Sequence, residues 1–203
     1  MGELHVNMHV TLDGIVSANG GPTEVDGDFR YAGWEWPYSH RESGDDLVEI
    51  IERSDALLLG RRTYDIFRAH WPGKTDRIGL AFDRVPKYVA SRGEPVLSWS
   101  GTKQLRDAAS ELPRVLDWHR EVQLWGSVDL LQSLLAASLV DVMNLWVSPV
   151  VLGEGARLFP AGSVPNRFEA IEPPRAYPAG SMLLRYRCLK SPPPTREELQ
   201  RTG

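Results

Sequence analysis

Two short stretches put glycine, hydroxyl and charged residues where an apolar run ends and helical spacing begins. Residues 60–63 read Gly-Arg-Arg-Thr after Ala56, Leu57, Leu58 and Leu59, and residues 126–129 read Gly-Ser-Val-Asp after Val122, Leu124 and Trp125. A strand that turns into a helix through glycine lets a ligand approach the backbone, and the unpaired amides of the first helical turn favour an anion such as pyrophosphate. Arg61 and Arg62 sharpen this at the first stretch. Two cations at a helix N-terminus oppose the macrodipole, each losing roughly 0.3–1 kcal/mol, and an anion would offset that loss. The competing reading pairs both arginines with nearby carboxylates or points them into solvent. At the second stretch only Gly126 stands where a dinucleotide fingerprint would supply three glycines, and Asp129 could simply complement the helix dipole in a tight turn.

The elements that must position these residues follow from hydrophobic period. Residues 4–12 alternate Leu4, Val6, Met8, Val10, Leu12 with His5, Asn7, His9, Thr11, a strand with one apolar face. Residues 13–40 form a long, glycine-rich, aromatic loop, of the kind that is functional or mobile. Residues 43–53 read as a helix with capping-box-like spacing of Ser43 and Asp46 and a Leu47, Ile50, Ile51 stripe. A buried strand at 56–59 precedes a helix from 61 to about 69, then a helix at 76–84 and a strand at 87–90. A short strand at 96–99 and a helix at 102–112 are expected next. After the strand that ends at Trp125, Leu130, Leu131, Leu134, Leu135 and Leu139 recur at helical spacing, with Ser127 in position to cap. Residues 143–148 form another strand, and two late strands near 167–176 and 182–189 an antiparallel pair. This order predicts an α/β sheet, mostly parallel with an antiparallel edge. Residues 191–203, proline-rich and then charged, read as a loosely held tail after a single domain over 1–190.

Four separated motifs occur in an order that resembles the dihydrofolate reductase superfamily, in particular its stand-alone branch similar to the riboflavin-biosynthesis reductase. Residues 10–18, VTLDGIVSA, look like that branch's first strand and loop; residues 56–67, ALLLGRRTYDIF, like its second strand and helix start; residues 87–92, KYVASR, like its third strand; and residues 122–159 like its C-terminal part. The resemblance implies a dihydrofolate-reductase-like three-layer fold with the strand at residues 4–12 central, so that the polar face of that strand lines a pocket or carries satisfied polar groups. It implies NADPH as cofactor. Gly60, Arg61, Arg62 and Thr63 would then meet the adenosine phosphates, the arginine fork suiting the 2′-phosphate, and Ser91 and Arg92 would assist there or merely terminate a strand. Gly126, Ser127, Val128 and Asp129 would face the pyrophosphate and nicotinamide, with the backbone of Asp13 and Gly14 near the nicotinamide or in a plain turn. Hydride transfer also needs a proton. The carboxylate on the first long helix of the superfamily corresponds to Asp45 or Asp46, though both are also explained as helix-start residues, and Asp65 lies where the riboflavin branch carries substrate-binding polar groups. The A-D-D-P pattern of that branch is absent. Trp34, Trp36, Pro37 and Tyr38 could form a lid over a flat heterocycle or a plug at a subunit interface, and Ser148 could bond substrate.

Composition bounds the rest. A formal net charge of −4 over 203 residues argues against nucleic acid and anionic membranes as partners. Cys188 is the only cysteine, which excludes an intramolecular disulfide and fits a cytoplasmic setting. His5 and His9 lie on a strand pattern without the glutamate of a zinc motif, so no metal is expected. No G-x-S-x-G elbow supports hydrolysis. The combined expectation is a cytoplasmic, homodimeric, NADPH-dependent reductase of a small planar heterocycle such as a pterin or pyrimidine. The alternatives are the riboflavin-pathway ribosylaminopyrimidine phosphate reductase and a non-catalytic nucleotide- or ligand-binding protein.

Overall fold

The computed structural model describes residues 1–21 and 27–202. Its longest strand, β1 (Glu3–Thr11), has the alternation read from the sequence: Leu4, Val6, Met8 and Val10 enter one apolar cluster, while His5, Asn7 and Thr11 are buried on the other face. Both neighbours of β1 are parallel to it, β5 (Glu121–Leu124) on one side and β6 (Val142–Ser148) on the other. Beyond β5 lie β2 (Ala56–Gly60), β3 (Lys87–Ala90) and β4 (Thr102–Leu105), all parallel. Beyond β6 lies β9 (Met182–Cys188), antiparallel, whose outer edge pairs with β7 (Phe168–Ala170) and β8 (Arg175–Ala176). The sheet order is therefore β4-β3-β2-β5-β1-β6-β9-β7, with β1 inside it and antiparallel strands at the C-terminal side, as expected.

Helices cover both faces. On one, α4 (Ala108–Leu116) and α5 (Val128–Ala136) bury Leu112, Leu116, Leu130, Leu131, Leu134 and Leu135 against the apolar side of β1 and its neighbours. On the other, α1 (Arg41–Glu52), α2 (Arg61–His70) and α3 (Arg77–Arg84) pack Ile51, Tyr64, Phe82 and their neighbours over Leu57, Leu59 and Val89. Parallel strands buried on both sides need such continuous apolar runs, and β2 is buried along its whole length. Among the described residues, no helix is long and apolar enough to cross a membrane.

Four local expectations change. Ser43 is not the cap of α1: the helix starts at Arg41, His40 is the N-cap, and Ser43 reaches back to accept from the His40 amide at 3.0 Å while His40 Nδ1 accepts from Glu42. Residues 102–112 are not one helix, since Thr102–Leu105 is the edge strand and α4 starts only after the Asp107 cap. No strand forms at 96–99. There Trp99 is instead buried against Tyr64, its indole donating to Asp83 at 2.6 Å. The late strand expected at 167–176 is split into β7 and β8, because Pro173 and Pro174 between them carry no amide hydrogen for the ladder. The tail ends in a short exposed helix, α6 (Arg196–Thr202), started by a reciprocal cap between Thr195 and Glu198.

Candidate active site at the strand tips

The two glycine junctions meet. Gly60, ending β2, donates its amide to Gly126 O at 2.8 Å. A Cβ added to Gly60 would fall 2.6 Å from Ser127 Oγ, and one on Gly126, at φ +120°, would fall 2.7 Å from Thr63 Oγ1. Neither position has room for a side chain, so glycine at both is what lets the starts of α2 and α5 sit side by side at the carboxyl ends of neighbouring strands. The Gly126-Ser127 peptide is cis. Gly60 and Ser127 occupy the two N-cap positions, yet neither helix has a side-chain cap bond. The capping hydroxyl expected from Ser127 is thus in place without capping. Val128 opens α5 half-buried, and Asp129 is exposed in its first turn.

Arg61 makes the carboxylate pairing that was the competing reading. Its Nε donates to Asp65 at 2.7 Å, and Arg68 Nε donates to the other oxygen of the same carboxylate at 2.9 Å. Burial pushes the Asp65 carboxyl up, but the two guanidinium partners more than offset this and hold it below its usual range. Asp65 is therefore a clamp on α2. Arg62, beside Arg61, is exposed. Ser91 ties β3 to β4, its amide donating to Leu105 O at 3.0 Å and its carbonyl accepting from Gln104 at 2.6 Å, and exposed Arg92 accepts a long bond from Arg106 at its carbonyl. Asp13 is also committed. It accepts from the Thr11 hydroxyl at 2.5 Å and from the Gly153 and Leu152 amides, the Thr11 bond chiefly holding its carboxyl below the usual range. The Gly14 carbonyl accepts from Leu158 at 2.7 Å, so this turn fastens the 150s segment to the tip of β1.

The polar face of β1 carries what the sequence did not single out. Register places Asn7 opposite Asn144, His9 opposite Trp146 and Thr11 opposite Ser148. His9 Nδ1 lies 2.5 Å from Glu35 in the loop that precedes α1, and Asn19 donates to the second Glu35 oxygen at 2.7 Å. Burial pushes the Glu35 carboxyl up, but His9 and Asn19 outweigh it and leave the group below its usual range. The imidazole of His9 stacks on Trp146, with centroids 5.8 Å apart, and Trp146 stacks on Tyr177 at 6.1 Å. The Tyr177 hydroxyl donates to Asp46 Oδ2 at 2.5 Å while Arg175 pairs with Asp46 Oδ1. Burial first, then Asp46, push the Tyr177 phenol far above its ordinary range, so it remains a donor. Each oxygen of Asp46 is thus engaged by one partner. Asp45 is exposed and lies 3.9 Å from Arg41.

Further along the same face, Arg185 donates to Asn144, which donates to Asn7 at 2.9 Å. Among the described residues, His5 Nδ1, Asn7 Nδ2, His9 Nδ1, Gln123 Oε1, Trp125 Nε1, Gln132 Oε1 and Trp146 Nε1 are buried without an aligned hydrogen-bond partner, His9 Nδ1 despite its close approach to Glu35. Trp34 is 7 % exposed and donates its indole N–H to Ser17 O at 2.7 Å, anchoring the loop; Trp36, 63 % exposed, starts a 3-10 turn (Trp36–Tyr38) whose Tyr38 carbonyl accepts from Ser181. Part of the aromatic loop, residues 22–26, lies outside the described residues. Ser148 is buried beside Thr11. A cavity of about 630 Å3 opens at the opposite edge of the sheet, lined by Glu3, His5, Arg53, Asp55, Arg120 and Glu121, far from these groups in the sheet register. Its arginines Arg53 and Arg120 are paired with Glu121 and Asp55.

No family model matches the chain. It is 25% identical over 162 residues to the uncharacterized protein YyaP of Bacillus subtilis, covering 76% of this chain and 78% of YyaP. Among solved structures it is similar to a pyrimidine reductase-like protein of Corynebacterium diphtheriae (TM-score 0.66, 12% identity, 94% of this chain and 93% of that one). It is also similar to the dihydrofolate reductase of Enterococcus faecalis, whose structure is a complex with NADP(H) (TM-score 0.61, 15% identity, 93% and 97%). The RibD protein of Acinetobacter baumannii matches with TM-score 0.60 and 16% identity over 93% of this chain and 58% of RibD. The chain therefore has the dihydrofolate-reductase-like fold, shared with the reductase domains of riboflavin biosynthesis.

Proposed function

We propose, proceeding from that fold, that this chain is an NADPH-dependent reductase that transfers hydride to a small planar heterocycle of the pyrimidine or pterin kind. The observation that carries the reading is the paired junction: two helix starts without side-chain caps, brought together by Gly60 and Gly126 in contacts that leave no room for a Cβ. A pyrophosphate laid across them would meet amide N–H groups and the positive ends of two helix dipoles. Thr63 and Ser127 add hydroxyls at the same point. Arg61 is bonded to Asp65 through Nε, which does not consume its terminal nitrogens, and with Arg62 it offers the charge a 2′-phosphate needs. When bound, the cofactor would supply the hydride; the chain would supply orientation and exclusion of water. The NADP(H) complex of the similar Enterococcus faecalis enzyme supports the choice of cofactor.

One observation favours a second reading, a nucleotide-binding protein without turnover. Asp46, the carboxylate expected on the first helix, already has both oxygens engaged by Arg175 and Tyr177. Following NADPH oxidation with a panel of dihydropterins and aminopyrimidines separates the two. Turnover of any member supports the reductase, and selective use of the ribosylaminopyrimidine phosphate would narrow it to the riboflavin-pathway reaction. Binding of NADPH with no turnover across the panel would favour the second reading.

A further inference from the structure

We infer that His9, held in place by Glu35, delivers the proton that must accompany the hydride, and that Asp46 does not; this deepens the reductase reading and rests on it. Three placements support the assignment. First, Asp46 already accepts from Tyr177 through one oxygen and pairs with Arg175 through the other, so both oxygens are engaged within the fold. Second, His9 sits beside the cofactor corner. β1 runs parallel to β5, whose last residue, Leu124, stands two positions before Gly126, and His9 lies three residues beyond the Val6 that pairs with it, toward the same strand ends. Third, the ring is fixed on two sides. Trp146 stacks against its face, and Glu35 Oε1 lies 2.5 Å from Nδ1, so the nitrogen away from Glu35 is Nε2.

Glu35 suits a positioning role. Its second oxygen is bound by Asn19, and its carboxyl is held below the usual range, so it stays ionised through neutral pH. Among the described residues, the charged and titratable groups linked to the ring are Glu35 from the loop and, behind Trp146, Tyr177 with Asp46 of α1 and Arg175 of β8. The chemistry balances with the cofactor already proposed. Hydride from NADPH adds to the carbon of a C=N or C=C bond, and the electron pair of that bond moves to its far atom. That atom takes the proton from Nε2 of the protonated ring, the N–H bond breaks, and neutral imidazole regains a proton from water while NADP+ departs.

The test measures NADPH affinity by fluorescence titration and the single-turnover rate of NADPH oxidation across pH, using the pterin and aminopyrimidine panel. It compares the natural chain with His9→Gln, Glu35→Gln and Asp46→Asn. The inference expects His9→Gln to keep NADPH affinity, lose about 100-fold in rate, the scale of general acid catalysis, and lose the decline in rate at high pH. Glu35→Gln should show a smaller loss and a displaced pH profile, which a purely structural role would not produce; it also carries the test should His9→Gln fail to fold. A His9→Gln protein that keeps both rate and profile, with Asp46→Asn inactive, overturns the inference while leaving the reductase reading intact. A natural chain that binds NADPH and reduces nothing overturns both.

Discussion

The two faces of β1 are built from the same nine residues and end in opposite conditions. Leu4, Val6, Met8 and Val10 meet the leucines of α4 and α5 in an apolar cluster whose Tyr88 hydroxyl is bonded to His119. His5, Asn7, His9 and Thr11 lie beside Gln123, Asn144, Trp146 and Ser148, and among the described residues five buried polar atoms of these side chains lack a hydrogen-bond partner. An unpaired buried donor or acceptor costs about 1–3 kcal/mol, so the polar face carries a penalty that the apolar face must offset. Side chains kept buried with donors unspent are expected where a ligand brings acceptors. Stability and function are thus divided across one strand, and the division can be tested.

The largest effect on stability should come from the apolar face. Leu131→Ala, at a position fully buried in that cluster, is expected to cost about 2–5 kcal/mol in chemical unfolding, without changing the preference for NADPH over NADH. A changed preference would mean that the two faces are not separable. Gly126→Ala tests the junction between them. Its positive φ and the 2.7 Å approach to Thr63 should cost about 1–3 kcal/mol and abolish most NADPH binding, read by the unfolding midpoint and by titration. Replacing Arg61 and Arg62 together with alanine should weaken NADPH by about 10-fold or more, at about 1.5–3 kcal/mol for a bond to a charged group, and leave NADH nearly unchanged. Equal losses for both cofactors would refute the phosphate role.

A smaller effect concerns pH. Glu35 is held below its ordinary value in the folded chain, so its contribution is present above the unfolded value, about pH 4.3, and is lost as pH falls through the folded one. Comparing melting curves of the natural chain and Glu35→Gln, the advantage of the natural chain should persist at neutral pH and shrink as pH falls below about 4.3; the reverse trend would mean that the pair with His9 does not hold Glu35 ionised. The smallest expected change follows deletion of residues 192–203, which should leave NADPH affinity as it was, since α6 is exposed and capped within itself.

Buried strands and long apolar stripes were readable because period and burial agree in them. The strand Lys87–Ala90 and the helix Arg77–Arg84 with its Asp76 cap match the sequence reading. Thr102–Leu105 did not, because an edge strand with only Leu105 buried carries no apolar face, and Leu105, Ala108 and Leu112 mimic one helical stripe. Asp107 and Glu111, whose carboxylate accepts from the Asp107 amide at 2.8 Å, were the available sign that the helix begins later. At the site, glycine and arginine at strand ends were legible as local motifs. The pairing of His9 with Glu35 joins a strand to an aperiodic loop across 26 residues of chain, and no spacing rule reaches that far. Its one sequence sign was a histidine on the polar side of a strand expected to be central. Asp65 failed to stand out as a clamp for a different reason: its partner Arg61 also read as a ligand for an anion, and Arg68 carried no reading of its own.

Titration calorimetry of the purified chain with NADPH and with NADH bears most directly on the central claim, that the twin helix starts at Gly60 and Gly126 hold a phosphorylated dinucleotide. Saturable binding of NADPH, clearly tighter than that of NADH, is the result expected. No heat of binding for NADPH, or equal affinity for the two, would contradict it.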